Sequence, residues 1–322
     1  MARAIAPPLR PRPPAWVGEL LAASDLPRDA IETCSGLRLV SRRGGRFTLL
    51  CGIVDAAASL PAPELTNAVA ALYRALAAEL TRQHRHCVRI WNFVPDIQGR
   101  LEGGDRYMTF NAGRFTAYCD WFGGAAAFAS ALPTASAIGV EDGALSVYAL
   151  AADEPGQPIE NPRQIPSYQY SSRYGARPPC FSRATRLGST LLIGGTASIL
   201  GQDSHHEGDV DAQVRETCVN IAALIGAATR SCTDTLQALR HLRVHVRDAH
   251  DASSVRALLD QLVPNVPVEL VQAPLCRREL LVEIEGVATL AGGPRCHHQH
   301  RRQDEDGSHE TRAQSDDGHD PQ

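Results

Sequence analysis

Apolar and polar residues follow one another along this chain in patterns that predict amphipathic helices and short strands. Between 64 and 83, large apolar residues recur every three or four positions, as in a helix with one buried face; they are Leu65, Val69, Leu72, Leu76 and Leu80. Short apolar runs bounded by glycine, proline or acidic residues predict strands. In the first half we predict strands at 37–40 and 47–51, a helix at 64–83, a strand at 88–94, a helix at 113–122, and strands at 136–140 and 144–150.

The same order of elements recurs in the second half. It comprises strands at 181–185 and 190–193, a helix at 210–225, a strand at 242–246, a helix at 254–262, and strands at 268–271 and 280–287. Each half therefore has the order β-β-α-β-α-β-β, and a repeat of this kind determines the architecture of a chain. We predict an α+β fold of two tandem units, each a mixed sheet covered on one face by two helices.

Changes in composition predict the boundaries of these units. Residues 1–17 are rich in proline and arginine and are expected to form an extended lead-in. Residues 292–322 are polar, with almost no large apolar side chain, and are expected to be a disordered tail. The segment 153–164 marks a linker, so we assign an N-terminal domain to 18–154 and a C-terminal domain to 155–291.

The last predicted strand carries two acids on one face. Glu283 and Glu285 are two residues apart, so they share a face of an otherwise apolar strand. This describes either an edge strand with a solvated face, or a carboxyl group held in a poorly solvated pocket as an acid or base. Aligning the last strands of the two units places Val147 opposite Glu283 and Ala149 opposite Glu285. An acid required for folding should recur in both units, so the alignment favours a functional role and makes the first unit the structural half.

Composition narrows the classes of function. The net charge is −4 and there is no long apolar run, so neither a nucleic-acid partner nor a membrane is expected. All 32 basic residues are arginine, which excludes Schiff-base lysine chemistry and suits carboxylate binding. Nine cysteines without a CxxC motif, and an N-terminus without a signal-peptide core, predict a reduced, cytoplasmic protein. The Cys/His cluster at 296–300 lies in the polar tail, where incidental metal affinity is favoured over a formed site.

Two segments combine tyrosine with arginine. Segment 166–183 holds three of the seven tyrosines together with three arginines. This combination suits a small, flat, anionic ligand, although a solvated loop with incidental aromatic residues is the alternative. Segment 106–114 contains Tyr107 and Arg114, or is simply a helix start capped by Asn111.

Three further features carry weaker signals. Small residues at 194–199 would let backbone N–H groups approach a ligand, but the segment lacks a P-loop ending. The adjacent histidines in 205–209 are interpreted as loop residues that precede a helix capped by Asp209. Cys276, seven residues before Glu283, is by itself typical of a small core residue.

Taken together, these motifs resemble the chorismatases. The resemblance is carried by 167–171 (Ser-Tyr-Gln-Tyr-Ser), 174–175 (Tyr-Gly), 181–184 (Phe-Ser-Arg-Ala), 195–199 (Gly-Thr-Ala-Ser-Ile), 208–209 (Gly-Asp) and 276–286 (Cys-Arg-Arg-Glu-Leu-Leu-Val-Glu-Ile-Glu-Gly). Chorismatases are chorismate-hydrolysing enzymes of secondary metabolism and pigment synthesis, also labelled pteridine-dependent dioxygenase-like. The resemblance spans about 35–291 and implies two tandem RidA-like domains with the site in the C-terminal one.

The resemblance also implies roles for individual residues. Glu283 is the expected proton donor, with Cys276 as a second catalytic candidate. The residues expected to bind chorismate are Tyr170, Arg183, Tyr107, Arg114, Arg247 and Ala197. Protonation of the methylene carbon of the enolpyruvyl ether gives an oxocarbenium ion and then pyruvate, and needs neither a metal nor a cofactor. The acid must be neutral at the working pH, so we expect apolar neighbours to raise its pKa.

The product and two other functions stay open at this point. A cysteine at position 276 resembles the hydroxybenzoate-forming branches, so 3-hydroxybenzoate, alone or with 4-hydroxybenzoate, is the expected product. A dihydroxycyclohexadiene carboxylate is the alternative product. The alternative functions are a RidA-like enamine/imine hydrolase and a non-catalytic module that binds small aromatic acids. A pterin-dependent oxygenase is least favoured, since no 2-His-1-carboxylate pattern is visible.

Overall fold

The computed structural model describes residues 11–21, 29–32, 37–229 and 235–290. The first half contains α1 (Ala15–Leu21), β1 (Asp29–Glu32), β2 (Arg38–Gly44), β3 (Phe47–Val54), α2 (Ala62–Arg82), β4 (His86–Pro95), β5 (Arg100–Leu101), β6 (Gly104–Asp105), α3 (Arg106–Phe122), α4 (Phe128–Ala131), β7 (Thr134–Val140) and β8 (Leu145–Ala152). The second half contains β9 (Gln157–Ile159), β10 (Ala184–Leu187), β11 (Thr190–Thr196), β12 (Ile199–Leu200), β13 (Asp203–Ser204), α5 (Val210–Thr229), β14 (Leu239–Val246), α6 (Ala252–Leu262), β15 (Val268–Gln272) and β16 (Val282–Thr289).

The two halves form sheets of matching topology. The first sheet has the strand order β1-β2-β3-β8-β4-β7, and the second has β15-β14-β16-β11-β10-β9. In each sheet one neighbouring pair is parallel, β4 with β7 and β14 with β15. Strands β2, β3, β8, β4 and β7 therefore correspond in order to β10, β11, β16, β14 and β15. The predicted α+β fold of two tandem units is confirmed.

Helices cover one face of each sheet. The predicted apolar stripe of α2 is buried against the first sheet, and α5 and α6 pack on the second. Fully burying one leucine side chain contributes about 1.5–3 kcal/mol, so these stripes fix which face of each helix turns inward. The side chain of Asp209 accepts a hydrogen bond from the Ala212 N–H at 2.9 Å, which confirms the predicted cap of α5.

The opposite faces of the two sheets meet in a third apolar core. It includes Trp91 and Phe93 from β4, Ile138 from β7, Leu192 from β11 and Leu280 just before β16. Side chains of β16 that point away from α5 and α6 therefore lie between the two halves. The two acids of the last strand occupy this face.

The alignment of the last strands of the two units was wrong by one residue. Val147 and Ala149 of β8 pack in the helix-covered core of the first sheet. Glu283 and Glu285 point away from the helix-covered core of the second sheet, in which the intervening Ile284 packs. A shift of one residue moves every side chain to the other face of a strand. The face of β8 that lies between the two sheets carries Tyr148 and Leu150 and no acid. The acids of β16 are therefore still specific to the second unit.

Several element boundaries differ from the prediction. Helix α3 begins at Arg106 rather than 113, because the Asp105 side chain caps it by accepting a hydrogen bond from the Met108 N–H at 2.8 Å. Asn111 lies inside this helix, so its predicted capping role is wrong. The strand predicted at 181–185 is β10, which begins at Ala184 rather than 181. Helices α1 and α4 and strands β1, β5, β6, β9, β12 and β13 were not predicted.

The domain boundaries at 154 and 291 stay predictions. Helix α1 begins at Ala15, inside the predicted lead-in. The predicted tail at 292–322 and its Cys/His cluster lie outside the described residues. Within the part of the chain that the structure describes, no helix is long and apolar enough to cross a membrane.

Candidate active site

A cavity of about 580 Å³ opens between the two halves. This volume lies within the ordinary range of small-molecule pockets. Seven predicted site residues line it: Tyr107, Arg114, Tyr170, Arg183, Ala197, Cys276 and Glu283. Tyr107 and Arg114 belong to the first half, so this half contributes side chains to the site as well as structure.

Glu283 and Glu285 lie in the middle of the second sheet. Strand β16 is paired with β14 on one side and β11 on the other, so the edge-strand interpretation is wrong. The exposed fraction is 5% for Glu283 and 1% for Glu285. Carboxylates are almost never buried to this degree without a partner or a shifted pKa. Glu285 has a charged partner and stays ionised, whereas Glu283 has no such partner among the residues that the structure describes and its pKa is raised.

Glu285 is held as a carboxylate mainly by groups from the first half. The Arg89 guanidinium lies 2.6 Å from Glu285 Oε2, and Trp91 Nε1 donates to Oε1 at 3.1 Å. The Ser136 hydroxyl is a further hydrogen-bond partner, and His245 Nε2 is 3.8 Å from Oε1. Burial acts to raise the pKa of Glu285, but Arg89, aided by His245, outweighs it and lowers the pKa to about 2.

Glu283 faces the cavity without such a partner. Among the residues described, nothing forms a hydrogen bond with its buried Oε1. Burial, reinforced by the negative charge of Glu285, raises the pKa of Glu283 to about 8, although Arg89 and Arg277 act in the opposite direction. The carboxyl group lies directly over Gly195, where a methyl group would overlap Oε1. A carboxyl group with this pKa is mostly protonated near pH 7, which is the state that a proton donor needs.

Two buried arginines supply positive charge to the cavity. Arg114 of α3 donates to Asn111 Oδ1 at 2.8 Å and lies over the rings of Phe110 and Phe181. Arg183 donates to the Tyr170 hydroxyl at 2.7 Å and to a backbone carbonyl. The Nε atom of each guanidinium has no hydrogen-bond partner within the described ranges. Arg183 Nε also lies 4.0 Å from Glu160 Oε2. Both guanidinium groups line the cavity, where they can receive an anionic ligand.

The other predicted residues shape the cavity. Burial raises the pKa of the Cys276 thiol to about 12, with a further contribution from Glu283, so this sulfur is a neutral thiol at neutral pH. Burial also raises the pKa of Tyr107 above its usual range, and its ring stacks on Phe110 with centroids 6.3 Å apart. Ala197 is 3% exposed and presents a small apolar wall.

Arg247 is not brought into this cavity. It lines a second cavity, together with Arg243 and His245. Its Nε donates to Asp248 Oδ2 at 2.9 Å, and Nη1 donates to the Arg278 carbonyl. Its guanidinium group therefore has partners at the second cavity, and we remove Arg247 from the set of ligand-binding candidates.

Two arginines near the acid were missed by the sequence reasoning. Arg277 lines the cavity, with its guanidinium 4.1 Å from the centroid of the Tyr174 ring and 5.5 Å from that of Tyr170. Arg89 lies behind Glu283 as the partner of Glu285. A signal for Arg89 was present, since it is an isolated charge inside the apolar strand predicted at 88–94.

The chain is similar to several known proteins. The family model described as "Chorismatase FkbO/Hyg5-like, N-terminal" matches residues 30–151. A 3-hydroxybenzoate synthase of Streptomyces hygroscopicus is 37% identical over 221 residues, which cover 62% of each chain. A chorismatase of Streptomyces rapamycinicus is 34% identical over 213 residues, covering 62% of this chain and 63% of the relative. The chain thus aligns with less than two thirds of the length of these two relatives.

Two further similarities extend the match. A second chorismatase, from Streptomyces hygroscopicus, is 35% identical over 235 residues, covering 69% of this chain and 67% of the relative. A chorismatase crystal structure superposes with a TM-score of 0.71 at 29% identity, covering 81% of this chain and 79% of that one. The fold is that of a chorismatase, and the chain belongs to the chorismatase family.

Proposed function

We propose that this protein is a chorismatase that releases pyruvate from chorismate, with Glu283 as the proton donor. One observation carries the proposal: a buried carboxyl group with a raised pKa, whose Oε1 has no hydrogen-bond partner among the described residues, faces a cavity that also contains buried arginines. Chorismate has a vinyl ether that accepts a proton on carbon and two carboxylates that pair with guanidinium groups. Relatives named chorismatase and 3-hydroxybenzoate synthase support this substrate.

In the proposed reaction Glu283 transfers its proton to the methylene carbon of the enolpyruvyl group. Positive charge then develops on the ether carbon and oxygen as an oxocarbenium ion. A general acid contributes about 10²–10⁴-fold when it is protonated at the working pH, and the raised pKa of Glu283 meets that condition. The negative charge left on Glu283 lies close to the cation it has generated and stabilises it.

Arg183, Tyr170, Arg114 and Tyr107 are proposed to hold the substrate carboxylates. A guanidinium group can bind a carboxylate through two parallel hydrogen bonds, which fixes orientation as well as position. Arg183 and Arg114 are already immobilised by Tyr170 and Asn111, so little further ordering is needed on binding. This arrangement would present the methylene carbon to Glu283.

We propose 3-hydroxybenzoate, alone or with 4-hydroxybenzoate, as the product released with pyruvate. Chorismate contains all the atoms of pyruvate and a hydroxybenzoate, so a route in which the substrate's own hydroxyl traps the oxocarbenium ion consumes no water. The route to a dihydroxycyclohexadiene carboxylate consumes one water. Cys276, as a neutral thiol at the cavity wall, is proposed to favour the first route.

The test is to incubate the protein with chorismate, follow pyruvate with lactate dehydrogenase, and identify the second product by chromatography. A parallel reaction in ¹⁸O-labelled water distinguishes the routes, because only the route that consumes water puts the label into a product at the time of cleavage. Pyruvate and unlabelled hydroxybenzoate are expected, once exchange of label into free pyruvate is subtracted. Unchanged chorismate, with ammonia released from an imine substrate, would instead favour an enamine/imine hydrolase.

A further inference from the structure

Glu285 forms an ion pair that joins the two halves directly behind the proposed acid. Its partner Arg89 belongs to β4 of the first sheet, and both side chains are 1% exposed. The Arg89 guanidinium is further held over the Trp91 ring, 4.8 Å from its centroid, and by the Ser136 hydroxyl. Among the described residues, Arg89 forms its ion pair with Glu285 and not with Glu283.

The charged and titratable groups around Glu283 come from several elements. Glu285 on β16 raises its pKa, whereas Arg89 from β4 and Arg277 from the segment before β16 lower it. His245 of β14 is its cross-strand neighbour, and Arg243 of the same strand acts on Glu285. Tyr107 of α3 and Cys276 interact with it electrostatically, and β11 contributes the uncharged Gly195.

We propose that Glu285 is a positioning residue that occupies the Arg89 guanidinium and thereby keeps Glu283 protonated and free to face the cavity. This inference rests on the proposed function for its catalytic meaning. It assigns different tasks to the two acids of β16. One carboxylate neutralises the buried cation, and the other is left to carry a proton.

A buried arginine that loses its carboxylate partner needs another anion close by. Removing one partner of a buried ion pair leaves an uncompensated charge in a poorly solvated region, which is strongly unfavourable. Arg89 already interacts electrostatically with Glu283 as well as with Glu285. If Glu285 were neutral, Glu283 would be favoured as the replacement anion, and it would give up its proton. An opposite charge close to a carboxyl group lowers its pKa by about 1–3 units.

The test compares wild type with Glu285→Gln and the double variant Glu285→Gln/Arg89→Met. Glu79→Gln serves as the control for loss of a paired glutamate, since the largely buried Glu79 lies 2.6 Å from the exposed Arg82, on helix α2 away from the cavity. For each protein, kcat/KM for chorismate is measured against pH. Protonation of Glu283 is followed separately by its carboxylic acid C=O stretching band, assigned through its loss in Glu283→Gln.

In Glu285→Gln, the pH at which activity and the acid band disappear should fall by about 1–3 units. In the double variant both should return towards wild type, because the cation that competes for Glu283 is gone. Glu79→Gln should match wild type. An unshifted band in Glu285→Gln, or a double variant as impaired as the single one, would overturn the inference, since the second result indicates a merely structural role.

Two results separate this inference from the proposed function. If wild type leaves chorismate intact but the acid band shifts as described, the proposed function fails and the control of Glu283 by Glu285 stands. If Glu285→Gln does not fold, the double variant decides alone, since removing both charges of a buried pair is often tolerated. Its Glu283 should still titrate well above the ordinary value, through burial, and an ordinary value would overturn the inference.

Discussion

Raising the pH should switch off chorismate cleavage through a single group, Glu283. With a pKa of about 8, this carboxyl is about 90% protonated at pH 7 and about 10% protonated at pH 9. With the ordinary value of 4.5, only about 0.3% would be protonated at pH 7. Burial and the neighbouring Glu285 charge thus increase the reactive fraction at pH 7 by a factor of about 300.

The assay is the pH dependence of kcat/KM for pyruvate release, which reports the essential acid of the free enzyme. Activity should be independent of this group below about pH 7 and should fall about tenfold per pH unit well above pH 8. Coupling through lactate dehydrogenase requires excess coupling enzyme at every pH, with direct chromatography as a check. A fall that begins near pH 4.5, or no fall up to pH 10, would refute the assignment of a raised pKa to the acid.

Three further predictions follow from the site. Because the pKa of Glu283 is raised in the folded state, the stability that this group contributes is complete below about pH 4.5 and is lost towards pH 8. Chemical unfolding at each pH should therefore show wild type losing about 1.4 kcal/mol of unfolding free energy per pH unit over this range, relative to Glu283→Gln. Gly195→Ala should displace the Glu283 carboxyl and lower kcat for chorismate while the circular dichroism spectrum stays that of wild type; unchanged kcat would contradict the overlap. Cys276→Ala should retain pyruvate release but shift the product from hydroxybenzoate to the dihydroxycyclohexadiene carboxylate on chromatography, whereas an unchanged product would remove Cys276 from the route.

Much of the fold could be predicted because its signals are local. The stripe of α2 repeats every three to four residues from Leu65 to Leu80, and the structure buries each member. The start of α3 was not predicted, because its capping residue, Asp105, follows two glycines, which are typical of a loop. The repeat was recognised from element order, which tolerates such errors. The alignment of individual residues between the two units was wrong, because an alternating pattern looks similar after a shift of one residue.

The protonation states of the two acids could not be predicted from the sequence. Their shared face was predictable from spacing alone. Their different states were not, because the partner of Glu285 is Arg89, 196 residues away in the chain. Nothing local distinguishes Glu283 from Glu285, and the choice between them rested on the family resemblance. Arg247 was misplaced for the related reason that the end of β14 lies nearer a second cavity, which only the packing of the sheets reveals.

The most direct test of the account is the rate of pyruvate release from chorismate by Glu283→Gln relative to wild type. Glutamine keeps the size and polarity of the side chain but has no proton to transfer to carbon. A loss of about 10²–10⁴-fold in kcat is expected, because that is the usual contribution of a general acid. Chorismate should still raise the melting temperature of the variant, since the arginines remain. A variant that turns chorismate over at the wild-type rate would contradict the central claim.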